Sequence, residues 1–431
     1  MKGIRFSFGD KSVKLASIVT LIMLVISFLN IGTFYSYSTK LKLIVIVIIA
    51  LLAMKVVAGS AFYELRPEAF VMVVFFGLLT IFLNFPDSLS SYIIFLCGVL
   101  FMTLKYENNE LNLVMKTLVA IGIFYALTMI WQYLFPSSFY SVLKHLVATG
   151  QYENAVYYPK MGDYTGFACE SNRACFCIAP ASCILFSRFF FKDTRRKGLI
   201  KNIILFSITY IGIYLSGRRA FILFFPAILI GITIVLLLRN KKTIYKVIGT
   251  FILIAVIAVA YLGVYDIVLG ILTNGTGGSI ELSNRSKYWD IAISMFQKKP
   301  LFGNGLRSYD YEYNLFSGRN LSFAGAHNCY LQMLAESGIV GTAIFFGFVL
   351  INLFRTLKNA VSAIRYNQSE IGQYVLFSLL MQFVFVCVAL SEAVFFAPNS
   401  ALVYFIALNF NENVSWKLRL GNRCSGRDNV Q

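Results

Sequence analysis

The sequence predicts an all-α polytopic integral membrane protein of about twelve transmembrane helices. Three observations carry that prediction. Apolar runs long enough to cross a bilayer, about 20 residues each, follow one another along most of the 431 residues. Apolar residues make up 58% of the chain and charged ones 13%, whereas soluble domains are about 45–50% apolar and about 25% charged. Basic residues gather in every second connection between runs, the pattern of cytoplasmic loops.

The runs lie near 15–34, 41–58, 69–85, 90–104, 111–135, 168–188, 199–216, 218–238, 245–271, 326–353, 371–391 and 395–413. Residues 1–14 precede them as a basic N-terminus. The first run is too long for a secretory signal core, and no small-residue cleavage site follows it, so it reads as a retained span. One side of the membrane collects Lys2, Arg5, Lys11, Lys14, Arg66 and Lys105, then the clusters at 188–201 and 239–246. Arg355, Lys358 and Arg365 join them, as does a tail over 414–431. This side is expected to be cytoplasmic, with both termini on it. The transmembrane domain then covers 15–413.

The opposite face holds two long loops, about 136–167 and 272–325. The second begins with a stretch flexible by composition, Asn274 to Ser279. Tyr288, Ile291, Ala292, Met295 and Phe296 then recur at helical spacing, predicting a short amphipathic helix at the membrane surface, ended by Pro300. Leu301 to Leu306 turns on Gly303 and Gly305. No internal repeat or low-complexity tract interrupts the chain.

The net charge of +18 does not indicate nucleic acid, because it follows the topology and no recognition helix or stacking motif accompanies it. Cys169, Cys175 and Cys177 resemble a metal cluster only in spacing. They lack partner histidines, and most of the eight cysteines fall in apolar runs, where cysteine behaves as a small hydrophobe. No metal and no disulfide framework is expected.

Few groups here can move a proton near neutral pH, so the two histidines are informative. His145 lies in the first outer loop without polar neighbours of interest and reads as surface. His327 and Asn328 stand where the second loop meets an apolar helix, and Gly338, Gly341 and Thr342 follow. By itself His327 fits a hydrogen-bonded residue at a helix entrance as well as a catalytic one. Glu336 falls within the apolar run, where a packing or polar-pair role is the simpler reading. Arg218 and Arg219 occupy a short outer turn and must reach water, headgroups or an anionic ligand; headgroup anchoring and ligand binding fit equally. Arg173 with Glu170 forms a charged pair that must face the bundle interior or its mouth, for structure or for function. Arg285 alone is a solvated loop charge.

Together these residues suit a lipid-linked anionic substrate. Arginine forks bind diphosphate oxygens bidentately and stabilise charge on a leaving diphosphate. A histidine can take the proton of an attacking hydroxyl.

The residues also resemble a family. His327-Asn328, nine residues, then Gly338-x-x-Gly341-Thr342 is similar to the histidine motif of the bacterial O-antigen ligase and O-antigen polymerase superfamily. Arg285 to Trp289 followed by Pro300-Leu-Phe-Gly303-Asn-Gly305 resembles its arginine, tryptophan and PLxGxG signature. LSGRRAF resembles its Ser-Arg turn, with Arg219 at the arginine place and Arg218 where serine is commoner. Gly166-Phe167 through Asn172 resembles its entrance to a middle span.

The resemblance covers about 160–345. It implies a membrane glycosyltransferase of the GT-C type, working at the outer face of a bacterial cytoplasmic membrane without a metal, cofactor or nucleotide sugar. Its donor would be a glycan on undecaprenyl diphosphate, its acceptor a sugar hydroxyl, and its partners membrane lipids, a flippase and a chain-length regulator, with no nucleic acid. Carried over, Arg219 and Arg285, with Arg218, bind the diphosphate, and Arg173 and Asn328 support the site. His327 activates the acceptor hydroxyl or aligns the reacting groups. The acceptor separates a polymerase of repeat units, the expectation adopted, from a ligase acting on lipid A–core. A transporter or flippase is the competing class; it would place its site near the midplane between repeats.

Overall fold

A computed structural model describes residues 5–8, 11–28, 37–57, 62–191, 196–218, 220–222, 225–226, 228–229, 276–318, 325–365 and 369–425. The described chain is helical apart from an N-terminal hairpin, β1 (Arg5–Phe8) antiparallel to β2 (Lys11–Lys14), and one isolated bridge, Phe62 to Leu104. The hairpin lies ahead of the first expected run, within the stretch read as a basic N-terminus, and the all-α class holds for the helices that follow. Apolar and polar residues alternate through Arg5 to Phe8, which is a strand period, and Gly9-Asp10 is turn chemistry.

The helices are α1 (Leu15–Phe28), α2 (Tyr37–Val57), α3 (Pro67–Phe82), α4 (Leu89–Met102) and α5 (Asn108–Leu134), then α6 (Pro136–Leu146), α7 (Thr149–Tyr157), α8 (Ser171–Phe191) and α9 (Arg196–Leu215). After them come α10 (Thr276–Lys298), α11 (Ser308–Ser317), α12 (Cys329–Arg365), α13 (Ser369–Val388) and α14 (Pro398–Ser425). Of these, α5, α8, α9, α12 and α13 contain stretches long and apolar enough to cross a membrane, and α3 and α4 are apolar but shorter. The chain is therefore a polytopic membrane protein. The run expected at 245–271, and most of that at 218–238, lies outside the described residues.

Lipid supplies no hydrophobic drive between helices, so close packing at small residues has to hold them. Gly122 on α5 faces Ala181 on α8, and Gly212 on α9 faces Ala126 on α5, where an added Cβ would stand 2.8 Å from the alanine Cβ. Aromatic rings fill the centre. Phe395 meets Phe345 at 5.0 Å and Tyr404 at 5.0 Å, both edge-on, a geometry the ring quadrupoles favour.

Polar groups mark the two ends of the bundle. At one end Arg66 Nε donates to Glu412 at 2.9 Å, and Arg355 pairs with Glu68. There Asn409 Nδ2 also donates to the carbonyls of Phe101 (2.9 Å) and Leu104 (2.7 Å), satisfying acceptors that the end of α4 leaves open. The other end, where α3 finishes, gathers Asn84, Asp163, Ser171, Arg218, Arg307, His327 and Glu392.

Both long loops are more structured than their composition suggests. In the first, α6 and α7 fold back on the bundle. Gln132 Oε1 accepts the backbone N–H groups of Thr165 (2.9 Å) and Gly166 (2.8 Å), and Phe167 stacks on Phe139 at 5.5 Å. In the second, the helix begins at Thr276, so Thr276 to Ser279, expected to be flexible, are helical. A glycine inside a helix costs only about 1 kcal/mol, which packing of the later turns can offset. Those later turns give a second correction. Ala292 and Met295 of α10 are buried against Tyr309, Tyr313, Ala326 and Ala335. The apolar face therefore covers α11 and the start of α12 rather than lying open at a membrane surface.

One break decides the geometry of the site. Gly338 has φ 63° and ψ −169°, dividing α12 into a short leading helix and a long one.

Candidate functional site

His327 sits one residue before the N-cap of α12, in a left-handed backbone conformation (φ 50°). Asn328 is the cap. Its Oδ1 accepts the N–H groups of Tyr330 (3.0 Å) and Leu331 (3.1 Å), donors that would otherwise have no helical partner. Cys329 N–H donates to Ala389 O at 2.8 Å and Tyr330 hydroxyl to Val386 O at 2.9 Å. These two bonds tie the histidine turn to the end of α13. The tie brings Glu392, from the turn after α13, to His327, with Oε2 3.4 Å from Nδ1.

The contact is at the long edge of hydrogen bonding. The imidazole is 42% exposed and the carboxylate 13%, so an open base leans on a covered acid. A carboxylate at Nδ1 favours the tautomer that leaves Nε2 free to accept a proton, and it stabilises the imidazolium formed. Tyr288 of α10 covers the ring, with centroids 5.7 Å apart. Tyr288 is itself held from below, because Tyr309 hydroxyl donates to its carbonyl at 3.0 Å. Burial raises the Tyr309 phenol above its ordinary range, keeping it a donor.

The break in α12 is filled by the Pro300 to Arg307 segment. Ile339 N–H donates to Pro300 O (2.8 Å), Val340 N–H to Leu301 O (3.2 Å) and Gly305 N–H to Glu336 O (2.8 Å). Backbone groups freed by the break thus find partners in the loop, as buried backbone groups must. The approach leaves no room for side chains. A Cβ at Gly338 would overlap Leu301 O, one at Gly303 would overlap Glu336 O, and one at Gly305 would stand 2.7 Å from Asn84 Cβ. Asn84 Nδ2 in turn donates to Leu306 O at 2.9 Å. The two glycine motifs are thus the two halves of one docking contact. Gly341 packs against Phe75 of α3, which is a helix-packing role.

Arg218 is held at the same end of the bundle. Its Nε donates to Ser171 Oγ at 2.6 Å, its Nη2 lies 3.8 Å from Asp163 Oδ2, and its guanidinium covers Tyr158 at 5.7 Å. Arg173 pairs with Glu170 at 2.6 Å, two residues beyond Ser171. Cys175 Sγ donates to Ser216 Oγ at 2.9 Å, which in turn accepts Arg218 N–H at 3.2 Å, so α8 holds the arginine turn from below. Arg219 lies outside the described residues. The backbone of Arg285 belongs to α10, and its side chain is outside what is described.

Sequence reasoning did not single out Glu392, Asp163 or Gln332. The first two had a signal: each is acidic and sits in a turn flanked by apolar runs on the face that carries His327. Among the described residues the cysteines are free and nearly all buried, and no group of three or more His, Cys, Asp or Glu could hold a metal.

Fold and site define a class: a polytopic helical membrane protein whose reactive polar groups collect at one end of the bundle, around a histidine–carboxylate pair. Residues 203–346 match the family model described as O-antigen ligase. This match supports the chain's place in the O-antigen polymerase and ligase superfamily, and the matched segment holds Arg218, Arg219, Arg285 and His327. A search of the curated proteins gave no match.

Proposed function

We propose that this protein transfers a glycan from undecaprenyl diphosphate to a sugar hydroxyl at the outer face of a bacterial cytoplasmic membrane. The reading adopted is polymerisation of lipid-linked repeat units into a surface polysaccharide. The observation that carries the transfer chemistry is the His327–Glu392 pair, at the bundle end where Arg218 is also held. The topology that accompanies it has twelve spans, both termini cytoplasmic and His327 facing outward.

In the proposed reaction, His327 Nε2 takes the proton of the acceptor hydroxyl while Glu392 stabilises the imidazolium. The hydroxyl oxygen attacks the anomeric carbon, and the bond from that carbon to the diphosphate oxygen breaks. Undecaprenyl diphosphate leaves with the electron pair, and the anomeric centre inverts. Arg219 and Arg285, with Arg218 beside them, bind the diphosphate and stabilise its developing charge. The imidazolium then returns its proton to solvent.

Ligation to lipid A–core is a second reading, favoured by the description of the matched family. Two observations weigh against transport. The residues of the candidate site collect at one end of the bundle rather than between its halves, and the interrupted helix that could line a midplane site has its break filled by the Pro300 to Arg307 segment.

Deleting the gene in its host and separating the surface glycans by gel electrophoresis tests the reading. A polymerase deletion leaves single repeats on the core, and a ligase deletion leaves polymer on the carrier lipid. Unchanged surface glycan in the deletion strain would contradict both.

A further inference from the structure

We propose that Glu336 is a positioning residue for His327, acting through Gln332 and the main chain of Ala326. The inference rests on the glycan-transfer reading above. Three hydrogen bonds form the connection. Gln332 Oε1 accepts Ala326 N–H at 3.2 Å, one residue before His327. Gln332 Nε2 donates to Glu336 Oε1 at 3.1 Å. Glu336 Oε2 accepts Arg307 N–H at 2.8 Å. Both side chains are sealed from the surface, at 1% and 0% exposure.

The polarity of this chain is fixed from one end. A backbone N–H only donates, so the Gln332 atom facing Ala326 is the oxygen, and the amide presents its NH2 to Glu336. Glu336 thus meets an N–H donor on each oxygen. A carboxylate accepts on both, whereas a carboxamide of the same shape cannot. A side chain kept only to fill space would not need that property, and a buried carboxylate is costly without such partners. The Arg307 guanidinium is occupied elsewhere, by Asp310 and by Ser90 Oγ at 3.0 Å.

The consequence falls on His327. Its left-handed backbone costs a non-glycine residue roughly 1–2 kcal/mol and persists only where the surroundings enforce it. Cys329 N–H on Ala389 O clamps the turn downstream, and Ala326 N–H on Gln332 clamps it upstream. Through its second oxygen Glu336 also holds Arg307, at the end of the loop that follows α10. Tyr288 on α10 lies against the imidazole. One carboxylate therefore joins the segment that sets the backbone of His327 to the loop that runs on from the helix covering its ring.

A polarity swap tests this. Glu336→Gln keeps shape but has one acceptor oxygen for two N–H donors, so either Gln332 Nε2 or Arg307 N–H loses its acceptor and the connection is cut on one side. In the double variant Glu336→Gln/Gln332→Glu, the introduced carboxylate accepts from Ala326 and from the introduced amide. The oxygen of that amide still accepts from Arg307. Transfer would be measured on reconstituted protein with an undecaprenyl-diphosphate-linked repeat unit as donor.

The single variant is expected to lose about 10–100-fold in kcat with KM within about twofold, the signature of a displaced catalytic group. The double variant is expected to recover most of that loss. A single variant with wild-type kcat overturns the inference, and so does an inserted double variant no more active than the single one. Should the single variant fail to insert, the double variant decides: activity near wild type supports the relay, and inactivity overturns it. His327→Ala run alongside separates the two claims. If it stays active, the transfer reading falls; if it is inactive while Glu336→Gln is active, only the positioning role falls.

Discussion

Replacing His327 with alanine is expected to abolish glycan transfer while the protein still inserts in the membrane. General-base catalysis contributes about 10²–10⁴-fold, and few other described groups at this end of the bundle could substitute. An arginine side chain such as that of Arg173 or Arg218 has no acceptor atom, and the Glu392 carboxylate is 13% exposed against 42% for the imidazole. The variant removes neither the N-cap, which belongs to Asn328, nor the backbone bond from Cys329 to Ala389. It also exchanges a strained non-glycine residue for another, leaving the turn's conformational cost similar. Loss of activity would therefore report chemistry rather than folding. The check is complementation of a deletion strain at matched membrane abundance, read as surface polymer on a gel. Wild-type polymer from His327→Ala would remove the histidine from the mechanism.

Gly338→Ala is expected to undock the Pro300 to Arg307 segment and inactivate the protein. An alanine at φ 63° costs about 1–2 kcal/mol. Its Cβ would also overlap Leu301 O, forcing apart two strands of backbone that cannot swing aside as a side chain can. The separation breaks Ile339 N–H to Pro300 O and Val340 N–H to Leu301 O, each worth about 0.5–1.5 kcal/mol net. Gly347 supplies the control, because it lies on the same helix and a Cβ there meets nothing within 4 Å. Thermal inactivation in detergent should show Gly338→Ala failing well below wild type and Gly347→Ala matching it. Equal stability and activity in both would mean that the break in α12 has no bearing on the site.

The sequence announced some of this and hid the rest, for physical reasons. Apolar runs and alternating basic loops are local signals, so helices appear where they were expected for α1 to α5, α8, α9 and α12 to α14, whereas α6 and α7 fill a stretch read as loop. His327 was legible because titratable groups are rare in such a chain. Gly338 was visible as a glycine but open to misreading. Close helix packing is the commoner use of glycine in membranes, and only the loop seated on it shows that the helix breaks there. The amphipathic face of α10 was read correctly and given the wrong neighbour, since periodicity says that a face is buried but not against what. Glu392 lies 65 positions from His327, and no spacing rule links them. Gln332 and Glu336 look like ordinary polar interruptions of an apolar helix until their hydrogen bonds are traced.

The central claim is that a polyprenyl-diphosphate-linked glycan is cleaved at its anomeric bond as a new glycosidic bond forms. The most direct measurement reconstitutes the purified protein in lipid vesicles with an undecaprenyl-diphosphate-linked repeat unit as the sole sugar source, in chelator and without nucleotide sugar. Free undecaprenyl diphosphate and product glycan would be followed together. The account predicts that the two rise in equal molar amounts with wild type and that neither rises with His327→Ala. Glycan growth without release of the carrier diphosphate, or passage of intact lipid-linked glycan across the vesicle with no bond made, would contradict it.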